Sequence, residues 1–186
     1  MKKLIILLSL ISIGIADYSR NDAVNYAKKN YNKPNHDCDS DYIFCTPYAY
    51  YGDEHCGFSS HGGNSANFVS QSLVIGGGHP KLRESRNCVG TPCGFEVPGV
   101  WEIGECLQEK GWISVCGYLM KPPSYIKSGD VIIYHRNSCE GEGHAALITT
   151  GGTNPKITCQ SKEQIEQHYN YMSNSRPYYQ WIHYND

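Results

Sequence analysis

In HGGNSANFVSQSLVIGGG, residues 61–78, Ser65 follows Gly62, Gly63 and Asn64 and opens an apolar helical run. A hydroxyl at a helix start sits among unpaired N–H groups and the positive end of the dipole, which stabilise developing negative charge. Serine and asparagine are also ordinary helix caps, so Asn64 or Ser65 serves equally well as the cap alone. For Ser65 to act as a nucleophile it needs a base, and His144 opens the run HAALITT after the polar loop NSCEGEG. A histidine at the first position of a strand is held on a rigid element yet is expected near a sheet edge, as a general base requires. Gln160, in the next run ITCQS, is placed to hydrogen-bond that imidazole. Together the three residues suit acyl transfer: Ser65 attacks, His144 takes the proton, and Gln160 orients the ring.

The elements that must position them follow from periodicity. Ser19 caps a first helix in which Ala23, Tyr26, Ala27 and Tyr31 recur at helical spacing until Pro34. A second helix runs from about Ser65 to Ile75, with Phe68, Ser72 and Ile75 on one face, and Gly76–Gly78 end it. A third starts at Pro98, uses Val100, Ile103 and Leu107, and stops at Gly111. Beyond Gly111 the period changes to two. DVIIYHR, HAALITT, KITCQS and YYQWIHY read as strands, with GGTNP as a hairpin loop. Helices first and an antiparallel sheet afterwards is an α+β order. No internal repeat or interdomain linker interrupts it.

Residues 1–16, MKKLIILLSLISIGIA, have the basic start, apolar block and small-residue end of a signal peptide, too short an apolar stretch for a membrane span. The expected mature chain is one domain, 17–186, secreted and without membrane attachment. Losing Lys2 and Lys3 takes the basic residues from 16 to 14 against 18 acidic ones, and no basic cluster remains for nucleic acid. Fifteen tyrosines against four phenylalanines predict an interior with polar tips. All nine cysteines lie beyond residue 16, none in a C-x-x-C pair, so disulfides are expected rather than a metal site or cofactor. Proximity in sequence suggests Cys88–Cys93 and Cys106–Cys116, and the odd count leaves at least one thiol outside intrachain pairing.

The order NSANFVSQSLVIGGG, IKSGDVIIY, GHAALIT and ITCQS, with the opening YSRNDAVNYAKKNYN, resembles the amidase branch of the NlpC-like, papain-fold hydrolases. In that family a D-C-x-N-F-V-S-Q motif opens the nucleophile helix. The resemblance therefore implies that Ser65 stands at the catalytic cysteine's position, Asn64 at the aspartate's, His144 at the histidine's and Gln160 at the third polar residue's. It implies a papain-like fold and peptide-type substrates, with bacterial cell-wall peptide among them. A serine in a site shaped for sulfur loses the easy thiolate, so three functions are expected to compete. They are a serine amidase, a catalytically inactive relative that binds a peptide or glycopeptide, and a disulfide-stapled interaction module. The first two require Ser65 and His144 to meet across one cleft, roughly 3–5 Å apart.

Overall fold

The computed structural model describes residues 18–32, 64–79, 100–140, 143–160 and 164–186. The signal-peptide reading, Cys88–Cys93 and Pro98 lie outside them. Helix α1 is Arg20–Asn30, α2 is Asn64–Gln71 with a π-helical turn at Ser72–Gly76, and α3 is Val100–Glu109. The strands are β1 Ile113–Tyr118, β2 Val131–His135, β3 Gly143–Thr150, β4 Lys156–Cys159, β5 Gln164–His168 and β6 Tyr178–His183. They form one antiparallel sheet in the order β1-β6-β2-β3-β4-β5.

The alternation of each strand sorts its side chains between two cores. Val131, Ile133, Ala145, Leu147 and Ile182 face the helices, where they meet Ala23, Ala27, Phe68, Val69, Leu73, Ile103 and Leu107. Ile132, Tyr134, Ala146, Ile148, Tyr179 and Trp181 face the other way, onto Ile126, Met172 and Cys159. That second core sets Tyr134, Tyr179 and Trp181 among aliphatic residues, with Tyr169 and Tyr171 packed against it.

Local signals act where expected. The Ser19 hydroxyl accepts from the Asp22 amide at 3.3 Å and starts α1. Gly111 takes φ +87° after α3, while its amide bonds to Gln108 and that of Trp112 to Leu107, closing the helix end. Gly76 and Gly77 serve close approach: a Cβ on either would stand 2.4 Å from Tyr26 or Tyr18 of the first segment.

Three expectations need correction. Ile75 does not share the buried face of Phe68 and Ser72; it is 41% exposed. The π turn winds more widely than an α-helix and carries residue 75 round to solvent. Two strands, β1 and β5, escaped the sequence reading. They are the two edges of the sheet, where ISVCGY and QIEQH bury little and lack a β-branched run. Finally, Cys116 pairs with Cys139, Cα–Cα 5.9 Å, and Cys106 is disulfide-bonded to a residue other than Cys116. Five residues of helix before Gly111 cover about 7.5 Å and five of strand after it about 16.5 Å, so Cys116 outruns Cys106. Cys159 is a buried thiol, 3.3 Å from the Tyr171 hydroxyl.

Candidate active site

Ser65 is the second residue of α2 and is 1% exposed. Its hydroxyl accepts from the amide of Ala145 at 3.2 Å. The direction of that amide can be read from the ladder. Ile148 exchanges both backbone bonds toward β2: its N–H donates to Asp130 and its carbonyl accepts from Gly129. In an antiparallel ladder the direction alternates residue by residue, so Leu147 and Ala145 point toward β4. Leu147 finds Thr158 there, and the recorded β3–β4 pairing goes no further toward the start of β3. The Ser65 hydroxyl therefore takes the amide that a continuing β4 would have taken. The start of α2 is wedged where the sheet opens.

His144 precedes Ala145 and is 7% exposed. Covalent geometry limits the distance from the Ser65 oxygen to the His144 Cα to about 6 Å, given the 3.2 Å bond to the next amide. The imidazole itself lies beside Tyr134, the residue opposite it on β2, with ring centroids 6.1 Å apart. Tyr134 belongs to the core facing away from the helices, and burial holds its phenol well above the usual range, hence neutral. Backbone proximity to Ser65 is thus present, while the ring rests against tyrosine.

Gln160 has a different neighbour from the one its sequence position suggested. Its amide nitrogen donates to the carbonyl of Asn30 at the end of α1, at 2.8 Å. Continuing the β3–β4 register sets Gln160 opposite Ala145, on the helix side, whereas His144 has the parity of Ala146 and Ile148 on the other side. Through its bond to Asn30, Gln160 reaches the helix side, while the His144 ring lies beside Tyr134. The glutamine ties the end of α1 to the region around Ser65. Asn64 is the first residue of α2.

Sequence reasoning missed a second polar line beside this corner. His135, the last residue of β2 and 1% exposed, bonds through Nε2 to Gln180 Oε1 at 2.9 Å, and Gln180 donates on to Ser114 at 2.9 Å. Among the described residues the buried Nδ1 of His135 and the Tyr134 hydroxyl have no hydrogen-bond partner. Histidine at the end of the run DVIIYH, across from Gly143, was the available signal. No group of three or more His, Cys, Asp or Glu among the described residues stands close enough to hold a metal, and none of their helices is long and apolar enough to cross a membrane.

A solved structure from Ralstonia pickettii, the type VI native effector–immunity complex Tae3–Tai3, is similar at 20% identity over 90% of this chain and 100% of that chain, with a TM-score of 0.43. No curated protein matches. A family model described as "Putative amidase domain" matches residues 17–184, which include every element from α1 to β6, and the chain belongs to that family.

Proposed function

We propose that residues 17–186 form one secreted, papain-fold amidase-type domain whose cleft at Ser65 and His144 takes peptide amide bonds. The observation that carries the reading is the Ser65 hydroxyl lodged at the opening of β3, on the amide next to His144. The disulfide Cys116–Cys139 favours an oxidising compartment, in keeping with the signal-like residues 1–16.

In the hydrolytic reading, the imidazole swings from Tyr134 toward the hydroxyl by rotation about its own side-chain bonds. Ser65 Oγ then attacks the carbonyl carbon while its proton passes to His144. The first-turn amides of α2 stabilise the oxyanion. On collapse the C–N bond breaks, the imidazolium gives its proton to the leaving amine, and water later releases the acyl group from Ser65. A specific observation favours a second reading, a binding site with little or no turnover. The hydroxyl is engaged as an acceptor by a backbone amide, and the imidazole lies beside the Tyr134 ring. A serine is the weaker nucleophile in a site shaped for sulfur.

A panel of peptide amides assayed with wild type, Ser65→Cys and Ser65→Ala separates these readings. We expect Ser65→Cys to raise turnover above wild type, because a thiol at a helix start ionises far more readily. Its thiol should also react with iodoacetamide well ahead of buried Cys159. A fast wild type slowed by Ser65→Cys would show a site retuned for serine. Peptide binding without turnover in either form would leave the binding reading, and neither binding nor reaction in a folded protein would sink both.

A further inference from the structure

An open groove of about 640 Å³ lies at the start of α1, between Arg20 and the turn at Gly151–Gly152, and neither Ser65 nor His144 lines it. Its two cations are Arg20 and Lys127. Arg20 is anchored from behind: Nη1 donates to the Ser128 carbonyl at 3.1 Å and to buried Asp130 at 2.5 Å, and Nη2 to the Tyr184 carbonyl at 2.6 Å. The Tyr184 ring lies 5.5 Å from the guanidinium carbon. This leaves the Nε–Nη2 edge facing the groove, the fork that matches a carboxylate with two parallel bonds.

A carboxylate already occupies that fork. Asp186 takes Nε at 3.2 Å and Nη2 at 3.3 Å, and Lys127 Nζ at 2.7 Å. The Asp186 side chain is 40% exposed, and its two arginine bonds are long beside the 2.5 Å bond to Asp130. Since Arg20 is fixed by Asp130, Ser128 and Tyr184, its fork stays formed when Asp186 swings out. The groove then holds two cations against the one buried carboxylate of Asp130. Glycine lets the turn close tightly against this corner, for a Cβ on Gly151 would meet the Lys127 backbone at 2.7 Å.

We infer that this groove is a binding site for an acidic side chain of a peptide, and that Asp186 is its replaceable internal occupant. The site is independent of the amide-bond chemistry at Ser65. Arg20 carries part of the fold, so the test spares it and uses Asp186→Asn, alone and with Lys127→Ala, each checked for an unchanged melting temperature. The probe is N-acetyl-aspartic acid α-amide, with the asparagine analogue as control, titrated while following the Arg20 Nε–H and the Gly151 and Gly152 amides by NMR. Removing an occupant tethered at millimolar effective concentration should tighten binding by at least about tenfold over wild type. Lys127→Ala should weaken it again, and the asparagine analogue should shift nothing. Equal binding by wild type and Asp186→Asn, no binding by either, or equal shifts from the asparagine analogue would overturn the inference. Inorganic phosphate binding as well as the aspartate probe would overturn the peptide assignment in favour of a general anion groove.

Discussion

The β2–β3 pair carries a buried polar cluster at each end, and the two are built on opposite terms. Where β2 begins and β3 ends, Asp130 is fully buried and every oxygen is used. It accepts from Arg20 at 2.5 Å, His183 at 2.7 Å, and the amides of Lys127 and Tyr184 at 2.7 and 3.1 Å. Where β2 ends and β3 begins, Ser65 rests on one backbone amide, while the buried Tyr134 hydroxyl and His135 Nδ1 find no partner among the described residues. Buried polar atoms are normally satisfied, so a cluster of exceptions marks the end where something other than stability is being maintained. The saturated cluster joins α1 and β6 to the sheet. The open one faces the start of α2.

Substitution should expose that difference. Asp130→Ala strands Arg20 and His183 and is expected to cost about 3–5 kcal/mol, read from the urea midpoint. A loss under 1 kcal/mol would break the comparison. Next in size is the tie between β1 and the loop leading into β3. Removing Cys116–Cys139, with its sequence separation of 23, through paired alanines should cost about 3 kcal/mol and leave the Asp130 cluster intact. At the open end, Tyr134→Phe removes a buried hydroxyl with which no described residue pairs, so stability should hold or rise by up to about 1 kcal/mol. A large loss there would reveal a hidden partner and weaken the contrast.

The smallest effect belongs to the surface pair of Lys28 and Glu166, which links α1 to β5 at 2.8 Å. Burial raises the Glu166 pKa, but the hydrogen bonds from Lys28, Thr149 and Thr150 outweigh it and hold the group below its ordinary value. A depressed carboxylate adds stability above its unfolded pKa and loses it as pH falls through the folded one. Glu166→Gln should therefore flatten the acid limb of stability against pH, by under about 1 kcal/mol and less in high salt.

The strands legible in the sequence were the four in the middle of the sheet, β6, β2, β3 and β4, because burial on both faces forces the apolar runs that reveal them. The edges β1 and β5 are held by one neighbour each and carry no such run. Helix starts were legible wherever a cap acts locally, as at Ser19. Motif order singled out Ser65 and His144, and the Ser65 hydroxyl stands on the amide of the residue after His144. What the motif could not convey was parity. The face on which Gln160 emerges depends on strand register, and register is set by pairing partners distant in the chain. The cysteine pairing failed for the same reason: distance along the chain converts to distance in space differently in helix and strand.

The π turn after α2 has a consequence for how this chain tolerates changes in length. A π turn is an α-helix with one residue too many, and here the surplus sets the phase at which Gly76 and Gly77 arrive under Tyr26 and Tyr18. Rewinding all five residues of Ser72–Gly76 as α-helix, at about 100° per residue instead of about 82°, would turn that glycine seat roughly 90° away from the rings it accommodates, whereas deleting one of them would give an α-helix with the seat nearly in phase. The irregularity acts as a spacer, and at its present length the segment is one in which a better helix makes a worse protein.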